Sequence, residues 1–283
     1  MKGKAIKLFF MTRILFLGEL VGRCGISALK SGLSGIKSKY DIDYTIINGE
    51  GMTGGYGIGK MHSMQLGKLG IDLTTGGEKL FYKPDFVEFM QKCSFVLRPL
   101  NYPPQCPGKG MKNITIRNRN YLIINLQGHS GMRQSIQNAF VSIDSFLKKV
   151  EGDPIILLQY HAATTAEKAT MLHFLDGRVS AVIGTHTKVL SADERVTENG
   201  TAFISDNGRV GSFMSVGGFD TETEIYKYKS QIPTRSKEAW DDPRIQGVVV
   251  DIDEESGKAV AITVIDEKVN VQKPQEGNRW RRA

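Results

Sequence analysis

The chain has 283 residues, 40% of them hydrophobic and 24% charged, with a formal net charge of +7 at pH 7. These proportions exclude a collagen, a coiled coil and a disordered chain, and no run reaches the roughly 18 apolar residues that a membrane-spanning helix needs. The surplus charge sits at the two ends, on Lys2, Lys4, Lys7 and Arg13 and on Lys273, Arg279, Arg281 and Arg282, so the body between them is neutral.

Taken in order, Arg13 to Leu17 is an apolar run ending in Gly18-Glu19, which predicts a buried strand feeding a loop. Apolar residues at helical spacing follow from Ile26 to Lys39. Tyr44 to Ile47 is a second strand, closed by Asn48-Gly49-Glu50-Gly51, and Gly51 to Gly59 is glycine-rich. Met61 to Leu69 predicts a helix, Ile71 to Thr75 a strand stopped by Gly76-Gly77, and Pro84 to Lys92 a helix with proline in its first turn. The alternation continues with a strand over Tyr121–Leu126, a helix over Ser135–Val150 and a strand over Ile155–Tyr160. A helix over Thr164–Leu175 and strands over Ala181–Gly184 and Ala202–Ser205 come next. Gly247–Ile252 and Ala259–Ile265 read as a closing hairpin. Strands alternating with helices, without a repeat or a Pro/Gly-rich linker, predict one α/β domain.

Met1 to Leu20 has the outline of a signal peptide, but Arg13 breaks its apolar segment and no convincing cleavage site follows. Cys24, Cys93 and Cys106 are few, odd in number and widely spaced, which suits reduced thiols. A cytoplasmic protein is expected. The basic ends read as solvated tails, or as an electrostatic tether to RNA or a membrane surface.

One pattern points to chemistry. Glu19, Glu50, His161 and His186 each fall at the C-terminal end of an expected strand, the edge where α/β sheets bind ligands. Carboxylates and imidazoles converging there are ligands for Zn, Mn or Fe; the plainer reading is that each only caps a strand or helix. His62, His129 and His173 match no ligand motif.

The loops carry a resemblance. Gly18-Glu19-Leu20-Val21-Gly22, Asn48-Gly49-Glu50, Asp176 to Val182, Gly184 to Val189 and Ser191 to Arg195 resemble the YmdB-like branch of calcineurin-type metallophosphoesterases. So do Arg98-Pro99, Pro107 to Gly110 and Gln231-Ile232-Pro233. The resemblance runs in order from about Met11 to Ile265. It implies an α/β fold of the layered α-β-β-α sandwich type, a two-metal centre at the strand ends, hydrolysis of phosphodiesters including cyclic nucleotides, and a homo-oligomer. It also suggests residues 1–10 as a basic extension, 11–269 as a single metallophosphoesterase-like domain and 270–283 as a basic tail.

The motifs depart from the family at specific places. Where the family has G-D-x-V-G, this chain has Glu19 for the Asp. In N-G-E-N it keeps Glu50, the expected bridging ligand, but has Gly51 for the second Asn. G-N-H becomes Gly76-Gly77-Glu78, which removes a metal-binding Asn and the catalytic His. F-H-A-E keeps His161, and G-T-H-T-H keeps His186 but has Lys188 for its last His. The resemblance therefore implies one destroyed metal position, marked by Gly51 and Lys188. Glu19, the weaker ligand candidate, belongs to that lost position; the other keeps Glu50, His161 and His186, with Gly77 a lost ligand. At most one divalent Fe, Mn or Zn, or none, is expected.

The Lys188 ammonium either replaces the lost cation between Glu19 and Glu50 or turns to solvent. Glu78, where the family has its His, is either a substitute acid or base or a solvated surface residue. The resulting expectation is a phosphodiesterase that is impaired or inactive and acts by binding a phosphodiester, a nucleotide or a protein partner. The alternative is a one-metal phosphodiesterase acting on cyclic nucleotides or related diesters.

Overall fold

A computed structural model describes residues 11–132 and 134–273. Expectations for residues 1–10 and for the basic tail beyond Lys273 lie outside the described residues. In chain order the elements begin with β1 (Met11–Leu20), α1 (Gly22–Tyr40), β2 (Tyr44–Asn48), α2 (Lys60–Lys68), β3 (Leu73–Thr75), α3 (Pro84–Met90) and β4 (Val96–Leu97). There follow β5 (Met111–Ile116), β6 (Arg119–Gln127), α4 (Ala139–Leu147), β7 (Ile155–His161), α5 (Thr165–Leu175) and β8 (Ala181–Thr185). The last are β9 (Arg195–Val196), β10 (Ala202–Ile204), β11 (Arg209–Ser212), α6 (Thr221–Ser230), β12 (Pro243–Asp253) and β13 (Ala259–Lys268).

The strands form two sheets, ordered β13-β12-β11-β1-β2-β3-β4 and β5-β6-β7-β8-β10-β9. β1 to β4 and β11 run parallel in the first sheet, and β6, β7, β8 and β10 run parallel in the second. Alternation decides the layers. Phe16, Ile46, Val248 and Val250 of the first sheet face Tyr121, Ile123, Leu157 and Ile183 of the second across a dry interior. The opposite face of the first sheet buries Leu15, Leu17 and Ile47 against Leu29 and Leu33 of α1 and Phe86 of α3. The opposite face of the second sheet buries Ile124, Leu158 and Val182 against Ile143 of α4 and Met171 and Leu172 of α5. The result is a layered α-β-β-α sandwich, the arrangement the resemblance implies.

Several element limits differ from the sequence reading, each for a local reason. β1 does not stop at Leu17. It continues through Glu19 and Leu20, which pair with Arg209 and Val210 of β11. The fourth helix starts at Ala139 rather than Ser135, because the Asn138 side chain accepts hydrogen bonds from Phe140 N and Val141 N and so caps it there. β4, β5, β9, β11 and α6 had no clear periodic signal and are additions to the expected set. No helix among the described residues is long and apolar enough to cross a membrane.

Parallel strands in both sheets bring their C-terminal ends to one edge. Two polar rows meet there, Glu19–Asn48–Thr75 from the first sheet and Gln127–His161–Thr185 from the second. The rows are held apart and aligned by the apolar contacts beneath them. Phe16 is fully buried in that interior, so Phe16→Ala is expected to cost about 3–5 kcal/mol of unfolding free energy. Urea denaturation at neutral pH checks this; a loss below about 1 kcal/mol would mean that the inter-sheet layer does not anchor the edge.

Candidate metal centre

His161 closes β7 and is fully buried. His186 stands just past β8, in a turn where it takes φ +113° and Lys188 takes φ +62°. These are conformations that non-glycine residues adopt at a cost. His161 Nε2 lies 2.6 Å from Glu78 Oε2 and 3.2 Å from His186 Nδ1, and His186 Nδ1 lies 3.7 Å from Glu78 Oε1. Glu78, His161 and His186 each present a ligand atom to one small volume. The tautomer that turns the His161 Nε2 lone pair to this point carries its proton on Nδ1, where Thr185 Oγ1 accepts it at 2.9 Å. Asn48 Nδ2 packs against the same two atoms at 3.2 Å. Three lone-pair atoms facing one point require a proton or a cation between them, and one divalent ion fits this donor set.

Glu50 does not join the cluster. It is fully buried two residues beyond β2, and its two oxygens accept hydrogen bonds from Gly77 N and Lys79 N. Burial, with Glu78 and Glu19 nearby, pushes its carboxyl up to about 8, while the Gly77 amide and the Lys79 charge pull the other way. Glu78, rather than Glu50, is the carboxylate that faces the two imidazoles. Burial pushes the Glu78 carboxyl up, but His161, His186 and Lys79 together hold it well below the usual carboxylate range. Glu78 therefore stands as an anion suited to ligation and hydrogen-bond acceptance. A general acid needs the protonated form, and this surrounding opposes it. Nor is Glu78 a solvated surface residue, since its side chain is only 10% exposed.

Glu19 lies apart from the cluster, 1% exposed, with the Lys188 ammonium 3.0 Å from its Oε1. This is a charge contact without hydrogen-bond alignment, and neither Glu19 oxygen has another partner. Lys188 does not turn to solvent: its ammonium also sits 5.4 Å from the centre of the Phe219 ring.

The two glycines explain how the altered residues fit. A Cβ on Gly51 would stand 2.7 Å from Glu19 Oε1, so the missing side chain leaves the room that the longer acid fills. A Cβ on Gly77 would collide with Cδ2 and Nε2 of the His161 ring, so His161 occupies space a larger residue would need. The chain around Gly77 is fixed from below, by Asn125 Nδ2 donating to Gly76 O and Tyr102 OH donating to Gly77 O.

Sequence reasoning missed Lys79. Its ammonium is 2.9 Å from Glu78 Oε1, and although burial draws its pKa down, Glu19, Glu78 and Glu50 raise it above the ordinary lysine value. Its position next to Glu78 was the available signal, but a lysine after an acid is ordinary on any surface.

Residues 15–265 match the family model described as YmdB-like protein. The chain belongs to the YmdB-like family. A 2′,3′-cyclic-nucleotide 2′-phosphodiesterase of Bacillus subtilis is 36% identical over 251 residues, which span 88% of this chain and 95% of that one. A solved structure of a novel phosphatase from Mycoplasma pneumoniae superposes with a TM-score of 0.86 at 28% identity, covering 92% of this chain and 95% of the other. A hypothetical protein from Thermus thermophilus gives 0.83 at 29% identity, covering 92% and 100%. Membership of this metallophosphoesterase family implies a divalent metal. The residues present fit one ion at Glu78, His161 and His186, and they do not fit a second beside Glu19, where Lys188 already stands.

If that ammonium neutralises Glu19, Lys188→Met should strand a buried carboxylate and lower stability by about 3 kcal/mol at pH 7. Thermal and urea unfolding measure this. An unchanged midpoint would assign the compensation to Lys79 instead.

Proposed function

We propose that this chain binds phosphodiesters, nucleotides among them, at a one-ion centre and turns them over far more slowly than a two-ion relative. The observation that carries the reading is the Lys188–Glu19 contact, an internal cation on the side where the family pattern has lost its ligands. Glu78, His161 and His186 would hold the single Fe, Mn or Zn ion. Bound there, the ion supplies Lewis-acid polarisation of a phosphoryl oxygen.

The chain's own residues do the rest. The Lys79 and Lys188 ammoniums offset part of the carboxylate charge that would otherwise repel a phosphate. The His161 ring is held in orientation by Thr185 Oγ1, which accepts from its Nδ1 and also from Asn48 Nδ2. The imidazoles and Lys79 hold the Glu78 carboxyl low, which opposes its use as a neutral acid, and the family's His is replaced. Losing such an acid costs roughly 10²–10⁴-fold in rate. A cytoplasmic setting belongs to the same reading, since Cys24, Cys93 and Cys106 are all unpaired.

The experiment is hydrolysis of bis-p-nitrophenyl phosphate and of nucleoside 2′,3′-cyclic phosphates with added Mn, beside metal analysis of the purified protein. We expect no more than one equivalent of metal per chain, lost in His161→Ala and retained in Glu19→Ala. Turnover should lie about 100-fold or more below that of a relative with the full motif set. Brisk hydrolysis abolished by His161→Ala would establish instead an efficient one-metal phosphodiesterase. The 36% identity to the Bacillus subtilis diesterase makes that the second reading.

A further inference from the structure

Behind the cluster, α5 carries a charged residue that packing alone does not explain. Lys168 is fully buried, and its ammonium lies 3.1 Å from Oδ2 of Asp206, itself 2% exposed. A buried ion pair seldom stabilises a fold more than apolar residues of the same volume would. The contacts of Asp206 show what the pair holds. Its Oδ2 also accepts a hydrogen bond from Thr187 N at 2.8 Å, and its Oδ1 accepts one from Gly208 N at 3.1 Å. Its own backbone is tied to Ser191, by Ser191 N donating to Asp206 O and Asp206 N donating to Ser191 Oγ, both at 3.0 Å.

Thr187 is the residue between His186 and Lys188, the two that take positive φ. Such conformations are costly for residues other than glycine and persist only where the surroundings fix them. The turn is gripped on its other side by Arg209 Nη1, which donates to Lys188 O at 2.6 Å. With the Thr187 amide released, relaxation of these angles would carry His186 away from His161 and Lys188 away from Glu19 together. The neighbouring residue on α5 does the same for another loop: Glu167 accepts hydrogen bonds from His129 N and Ser130 N, both at 3.1 Å, and from Tyr160 OH at 2.9 Å.

We infer that Lys168 and Asp206 are positioning residues, a buried pair that holds the strained His186–Lys188 turn and so sets a ligand imidazole and the internal ammonium at once. The ligand half of this inference rests on the one-ion reading above; the turn-holding half does not.

The test uses the full chain, with the double variant Lys168→Met/Asp206→Ala, which removes the acceptors of Thr187 N and Gly208 N without leaving either charge unpaired. Amide hydrogen exchange is measured without added metal, and Mn²⁺ binding by calorimetry. We expect peptides covering residues 185–191 to exchange at least about tenfold faster in the double variant while β7 and β8 keep their protection, and Mn²⁺ affinity to fall about 10–100-fold. Unchanged exchange in 185–191, or acceleration spread evenly through the second sheet, would overturn the positioning role. If the wild-type chain takes up no Mn²⁺, the one-ion reading fails, and the exchange data alone decide whether the pair holds the turn.

Discussion

Three carboxylates held at one sheet edge set the terms for the rest of this site. Glu19, Glu50 and Glu78 are all buried or nearly so, and a buried carboxyl without a partner is costly. The fold answers each differently. Glu19 meets the Lys188 ammonium, Glu50 meets the amides of Gly77 and Lys79, and Glu78 meets the Lys79 ammonium and His161. Only the last arrangement leaves lone pairs converging on a point that an ion can take.

The departures from the family pattern are coupled in space. Glu19 is one carbon longer than the family's Asp and reaches into the volume that Gly51 leaves open. His161 lies where a side chain on Gly77 would have to go, and Glu78, which follows Gly77, stands 2.6 Å from its Nε2. These contacts describe a site repacked around its substitutions. Glu78, rather than Glu50, faces the two imidazoles, and the Lys188 ammonium stands against Glu19.

The scaffold behind the cluster is conventional in its packing and specific in its polar contacts. Parallel strands aim their ends at one edge, and the apolar interior between the sheets fixes the spacing of the two polar rows. Polar side chains then fix the loops: Asn125 and Tyr102 hold Gly76 and Gly77, Asp206 holds Thr187, and Arg209 holds Lys188. A loop residue at positive φ stays in place through such contacts, because its own backbone preference works against it.

The sequence by itself determined an α/β domain and the edge at which the chemistry sits, while the layering of its sheets was implied only by the resemblance of its loop motifs. Runs such as Ile14–Leu17, Ile155–Tyr160 and Ala181–Gly184 are apolar, bounded by polar or glycine residues and spaced by helical segments, and those are local properties of a chain. It also determined that His161 and His186 lie at that edge, since each closes such a run. It did not reveal β11, whose Arg209–Ser212 segment is polar in composition and becomes a strand only by pairing with β1 and β12. Nor did it reveal that Glu78 rather than Glu50 faces the two imidazoles, that Lys79 stands beside Glu78, or the buried Lys168–Asp206 pair. Only the tertiary structure decided these. Which carboxylate faces an imidazole, and which ammonium is drawn out of water, depends on side chains distant in sequence arriving within about 3 Å of one another, where charge and hydrogen bonding outweigh any local preference.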